Sequence, residues 1–288
     1  MPDHREGRWA RELLALQQPD GVWPGWCFHS MARPGKTPPT TEQALRRLHA
    51  LGFTAADEPI GRLLTTMAAC LRGERKIDAY WEQGLDWAMF EPTMLTAWIR
   101  RLDPEQPDAL AFARRWAHVA EAAFATGAFD ERAWADAYEA EFQRRSRHPQ
   151  PLGLMPFYHA LLLPGVLTPA TERALVRHIL GRPDGMYYVY PHPLRHPPAL
   201  FASKETSQWL AALETLVPFA AAREELTFAA VWLRMNADPD GAWDMGAKAA
   251  DGVHFPLSDS WRSPALRRAD CTERISAFLR SICGGTAP

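Results

Sequence analysis

The phrase Pro-Asp-Gly-x-aromatic occurs three times in this chain, as Pro19-Asp20-Gly21-Val22-Trp23, Pro183-Asp184-Gly185-Met186-Tyr187 and Pro239-Asp240-Gly241-Ala242-Trp243. With 25 Pro and 18 Gly in 288 residues, chance would supply such a phrase far less than once, so the recurrence marks an internal repeat. Each copy follows an apolar stretch of helical spacing. Gly21 and Gly185 are 164 residues apart and Gly185 and Gly241 are 56 apart, close to three units and one unit of about 55 residues. A unit of that length holds two helices and their connections, which predicts stacked helical hairpins. Such a stack forms either an open superhelix with a concave binding face or a closed ring around a cavity.

Hydrophobic periodicity supports the helices. Ile60, Leu63, Leu64, Met67, Ala68 and Leu71 recur on one face of a helix predicted over 59–71, with Pro59 in its first turn and Gly73 beyond its end. Thr168, Pro169 and Gly181 bracket another in the same way. Further amphipathic stretches run over 9–17, 41–51, 92–102, 109–124, 131–144, 205–217, 223–235 and 272–282. Strand-like alternation is confined to Met186-Tyr187-Tyr188-Val189-Tyr190, closed by Pro191, and predicts an extended loop or an isolated strand. Its alternation places Tyr188 and Tyr190 on one face and Tyr187 on the other. The expected fold class is all-α, with about ten or eleven helices in one domain spanning residues 1–288.

Composition narrows the partners. Lys and Arg number 32 against 34 Asp and Glu, so no strong field draws nucleic acid. Charges interrupt every apolar run well short of a membrane span, and the charged N-terminus has no apolar stretch of a signal peptide behind it. The four cysteines form no CxxC pair, as expected of reduced thiols. A cytoplasmic location is expected.

The stretch Trp9 to Gln17, followed by Gly21-Val22-Trp23, resembles the glutamine-tryptophan repeat of the terpene cyclase and protein prenyltransferase superfamily. Trp232 to Asn236, followed by Gly241-Ala242-Trp243, is similar to a second copy with Asn in place of Gln. The copy at Gly185 keeps only the Asp-Gly-x-aromatic part. The resemblance implies an α/α toroid of about five or six helical hairpins. The superfamily's reactions do not come with it, because the Asp-x-Asp-Asp acid motif, the aspartate-rich magnesium motif, the Asp-x-Cys zinc pair and the thioester motif are all missing here. One fold carries many chemistries.

No metal or cofactor is expected. His192 and His196 stand in a proline-rich stretch without helical spacing, Cys27 and His29 stand two apart, and ordinary loop and cap roles explain both pairs. Candidate chemistry lies instead in three clusters of acids and aromatic rings. The long segment after the third turn offers Asp244 and Asp259 as general acid or base if buried beside aromatic rings, Arg262 to hold an anionic group, and His254 and Trp261 to line a site. A second cluster, residues 78–92, offers Asp86 as a further carboxylate and Trp81 and Trp87 as lining rings, with Trp26 added from the first turn. Tyr187 and Tyr190 supply the third group. The same residues also have plain structural readings: Asp86 and Asp259 can cap backbone N–H groups, and Arg262 can pair with Asp259.

These observations lead to an enzyme that binds an isoprenoid or other small-molecule substrate in an aromatic-lined cavity and uses carboxylate acid/base chemistry. A carbohydrate-active lyase or hydrolase on the same architecture is one alternative, marked by two carboxylates about 5 to 9 Å apart. A non-catalytic repeat scaffold that binds a protein is the other.

Overall fold

The helix predicted around Pro59 forms as Glu58–Leu71, with Ile60, Leu63 and Met67 fully buried along its apolar stripe. Thr168 caps Pro169–Gly181 by accepting the Thr171 N–H, and Pro169 opens that helix where a missing N–H costs nothing. The computed structural model describes residues 3–25, 27–29, 38–77, 86–143 and 152–284. Among them are twelve α-helices and no strand. In chain order α1 is Arg8–Leu14, α2 Thr41–Ala50, α3 Glu58–Leu71, α4 Trp87–Leu102, α5 Pro107–Ala123 and α6 Glu131–Phe142. They are followed by α7 Pro156–Leu162, α8 Pro169–Gly181, α9 Lys204–Leu216, α10 Ala222–Glu225, α11 Thr227–Met235 and α12 Pro264–Cys283.

Several boundaries differ from expectation. Helix α4 starts at Trp87 rather than Pro92, because Pro92 forgoes a single ladder bond while Trp87, Met89 and Phe90 ahead of it are buried. Helix α7 was not foreseen; its seven residues are all buried, so no polar face breaks the run into a helical period. The stretch 223–235 divides at Leu226, a buried residue that leaves helical geometry. Helix α12 begins eight residues early, at Pro264 in place of Thr272. The tyrosine segment forms only an isolated bridge between Met186 and Tyr190. Tyr188 has φ 71°, so strand alternation fails there and its ring stacks against that of Tyr187 at 4.4 Å.

The tryptophans of the first and third repeated turns make matching bonds. Trp23 donates its indole N–H to the Leu13 carbonyl and its backbone N–H to Thr41 Oγ1. Trp243 does the same toward Leu233 and Thr272. Each ring therefore satisfies a carbonyl near the end of the helix before the turn and ties that helix to the one after it. Gly21 and Gly241 take φ of 89° and 78°, which a side chain would resist. In the middle turn Gly185 keeps φ 63°, but Tyr187 is 72% exposed and plays no such part.

Helices α2, α4, α7, α9 and α12 each connect to the next. Trp98 on α4 donates to Glu42 on α2, and Arg100 on α4 reaches the carbonyls of Leu162 and Pro164 at the end of α7. Helix α7 packs on α9, and Arg274 of α12 binds Ser207 and Glu214 of α9. The segment between α11 and α12 then returns to the beginning of the chain. Arg47 on α2 donates to the carbonyls of Val253 and Pro256, while Asp270 on α12 accepts from the backbone of Leu257 and Ser258. Trp9 and the N–H of Arg8 bond to Ser258 and Asp259 of the same segment. Helix α5 contacts both α3 and α8.

Candidate functional site

All five of these helices contribute to the wall of one cavity of about 350 Å³. Its apolar lining includes Trp98, Phe157, Leu161, Val189, Leu257 and Phe278, and its polar lining is concentrated in Arg46, Arg101, Arg274, Glu214, His49 and His254. That volume and that mixture suit a small organic ligand.

His254 reaches this wall from the turn Asp251-Gly252-Val253-His254. Asp251 Oδ1 accepts the backbone N–H groups of Val253, His254 and Phe255 at 2.9, 2.7 and 3.1 Å. Gly252, at φ 77°, lets the chain fold over that carboxylate. Asp251 Oδ2 takes the Ser207 hydroxyl at 2.7 Å and stands 3.0 Å from His254 Nδ1. Burial alone would raise the Asp251 carboxyl, but His254, Arg274 and Ser207 outweigh it and hold the group well below the ordinary carboxylate range. An ionised carboxylate only accepts, so Nδ1 carries the hydrogen of the neutral ring and Nε2 keeps a lone pair. Burial lowers the His254 pKa, with Asp251 opposing it in part. Nε2 has no hydrogen-bond partner among the described residues. The arrangement is an oriented neutral imidazole in a cavity wall, suited to taking a proton and returning it.

The wall's other charges divide into paired and unpaired groups. Glu214 receives two parallel bonds from Arg274, at 2.9 and 2.8 Å. Glu273, also in the lining, bonds to His4 at 3.0 Å. Arg46 and Arg101 have no carboxylate partner among the described residues. His49 is pushed down to about 4 by burial, so it is neutral at physiological pH.

A second cavity of about 260 Å³ shares Phe157 with the first and is lined further by His29, Phe90, Tyr158, Tyr187 and Tyr188. Glu42, fully buried on α2, accepts from Trp98 of the first cavity at 2.7 Å and from Tyr158 of the second at 3.2 Å. With its one hydrogen given to Glu42, the Tyr158 hydroxyl accepts from Tyr188 at 3.3 Å, and burial pushes its phenol well above its usual range.

No known protein family, curated protein or solved structure matches this chain.

The expected site residues fall in several places. His254 lines the larger cavity and Tyr187 the smaller one. Asp244 lies in neither lining; it forms a two-bond ion pair with Arg267 at 2.6 and 2.7 Å, which lowers its pKa. Asp259 is exposed and accepts the Arg8 N–H at 2.6 Å, capping α1 from across the sequence. Arg262 is exposed and does not pair with Asp259. Asp86 precedes α4 and accepts from the Tyr138 hydroxyl at 3.2 Å. Trp87 is buried, bonded to Glu91 and packed on His29 and Phe90. Tyr190 is 3% exposed and lines neither cavity. Trp261 stacks on Phe255 at 4.9 Å and donates to Asp270. Trp26 and Trp81 lie outside the described residues. Among the described residues no group of three or more His, Cys, Asp or Glu is placed to hold a metal, and no helix is long and apolar enough to cross a membrane.

Asp251, Arg46, Arg101 and Glu42 were not foreseen. Asp251 had a signal in the Asp-Gly-x-His spacing, since an aspartate three residues before a histidine can close a turn onto it. The two arginines and Glu42 had none, because helical charges read as a solvated face until their neighbours are known.

Proposed function

We propose that this chain is an α/α toroid enzyme of terpene cyclase-like architecture that processes a small molecule in its larger cavity, with His254 as acid/base and Asp251 as its orienting partner. Five successive inner helices, α2, α4, α7, α9 and α12, with α1, α3, α5, α8 and α11 before them in the chain, support the ring. On that count the repeated turns belong to the first, fourth and fifth hairpins, in keeping with their spacing of three units and one. The single observation that carries the enzymatic reading is the Asp251-held imidazole in the wall of a cavity with an apolar face. The acid/base role passes from Asp244, Asp259 and Asp86 to His254, because those carboxylates are committed to Arg267, α1 and Tyr138.

His254 Nε2 accepts a proton from a substrate O–H or activated C–H. Asp251 stabilises the imidazolium that forms, and the proton is returned at a second substrate atom. The apolar wall formed by Leu161, Val189 and Phe278 suits an isoprenoid or another small substrate with an apolar body. Of the two carboxylates of this cavity, Glu214 is ion-paired with Arg274 and Glu273 is hydrogen-bonded to His4, an arrangement that gives no support to a two-carboxylate glycosidase.

The test is mass-spectrometric profiling of a small-molecule extract incubated with wild-type protein and with His254→Gln. The expected result is a compound consumed by the wild type alone. Equal consumption by the two proteins would remove His254 from the chemistry, and an unchanged extract in both would argue for a binding protein.

A further inference from the structure

We infer that the larger cavity recognises its ligand through an oxyanion, a carboxylate or phosphate on an apolar body, held by Arg46 and Arg101. This rests on the reading of that cavity as the substrate site and adds the substrate's chemical class. Five fully charged side chains stand in the wall: Arg46, Arg101, Arg274, Glu214 and Glu273. Arg274 and Glu214 neutralise one another, and Glu273 is hydrogen-bonded to His4 and has no arginine partner among the described residues. What remains is two guanidinium groups on neighbouring wall helices, α2 and α4, with no ion pair or hydrogen bond among the described residues. Arg46 lies over the Phe157 ring at 5.4 Å, which orients its plane while leaving its N–H groups unoccupied.

The rest of the protein treats its enclosed arginines differently. Arg47 donates to the carbonyls of Val253 and Pro256, Arg100 to those of Leu162, Pro104 and Pro164, and Arg274 to Ser207 and Glu214. A guanidinium withdrawn from water without such partners is costly. Arg101 carries that cost: burial lowers its pKa, and Glu214, the carboxylate that acts on it, is already bonded on both oxygens to Arg274. A ligand oxyanion would supply the missing acceptors in the forked geometry that guanidinium favours. Opposite charge on the ligand and apolar lining from Leu161, Val189, Leu257 and Phe278 together describe a small amphiphilic acid.

The experiment uses the full chain, with thermal shift and titration calorimetry against phenyl phosphate, phenylacetate and uncharged 2-phenylethanol. The expected result is stabilisation by one or both anions and not by the alcohol. The stronger anion identifies the source as a phosphate or a carboxylate. Arg46→Gln and Arg101→Gln should each weaken that binding by roughly tenfold or more, while Arg132→Gln on the exposed face of α6 leaves it unchanged. Should Arg101→Gln fail to fold, Arg101→Lys keeps the charge without the fork and should weaken binding less. Equal stabilisation by the alcohol, no stabilisation by either anion, or full affinity in both arginine variants would overturn the inference. His254→Gln separates the two readings. Anion binding that persists without any His254-dependent turnover leaves this inference standing and removes the enzymatic one, whereas His254-dependent turnover of an uncharged compound does the reverse.

Discussion

Asp251 Oδ2 stands 3.0 Å from His254 Nδ1, and the other oxygen of the same carboxylate gathers the backbone N–H groups of Val253, His254 and Phe255. The side chain that orients the imidazole is thus also the one that shapes its loop. In Asp251→Asn the amide still fills the space, but the negative charge that favours the imidazolium is gone. The His254 pKa, already lowered by burial, should fall further, because Asp251 is its main raising influence. Titration of the ring protons by NMR checks this, and a rise in the variant would contradict the assigned pairing. Turnover, once a substrate is known, should drop by about 10²-fold or more.

The matched indole bonds of Trp23 and Trp243 predict matched losses. Trp23→Phe and Trp243→Phe each remove one indole N–H and leave the carbonyl of Leu13 or Leu233 without that donor. Each should cost about 1 to 2 kcal/mol, measured from urea unfolding. An unaltered urea midpoint in either variant would show that the repeated turn is not a staple.

The glycines of the same two turns should not behave alike. A Cβ on Gly21 would stand 2.6 Å from the Leu63 backbone nitrogen in α3, whereas one on Gly241 meets nothing within 4 Å. Gly241→Ala should therefore cost only the backbone strain of its positive φ, about 1 to 2 kcal/mol. Gly21→Ala must also push α3 away and should cost clearly more. Comparable stability of the two variants would refute the close packing of the first turn on α3.

Acid should weaken the fold before its carboxylates titrate. Burial pushes His29, His49 and His159 down to about 4. Below about 6.5 the unfolded chain binds protons that these folded histidines refuse. Their contribution is fully present above about pH 6.5 and is lost progressively as the pH falls toward 4. Urea unfolding at pH 7.5 and pH 5 should show the lower stability at pH 5, with a shallower dependence in His159→Gln. Equal stability at the two pH values would mean that these rings are not held neutral.

Much of the helical content was legible because it depends on local chemistry. The period of apolar residues over 58–71 follows from the pitch of a helix, and Thr168 with Pro169 marks a helix start wherever that pair precedes an amphipathic run. The failures were also local in origin. Helix α7 has no polar face to give it a period, and Pro92 was read as a helix opener when burial of Trp87, Met89 and Phe90 carries the helix past it. Tyr188 adopts a left-handed backbone angle that no residue-level preference foretells.

By itself, the sequence determined an all-helical chain, most of its helix ends, and a repeated turn whose glycine and aromatic residue answer to bond angles and short-range contacts. Only the tertiary structure decided which charges are spent. Asp244 and Asp259 looked catalytic and are bound to Arg267 and to the start of α1, over separations of 23 and 251 residues. Arg46 and Arg101 carried no sequence signal, yet they line a cavity without carboxylate partners among the described residues. The physical reason is that a charged group's reactivity is set by its burial and by the partners around it in space. Those partners arrive from distant parts of the chain.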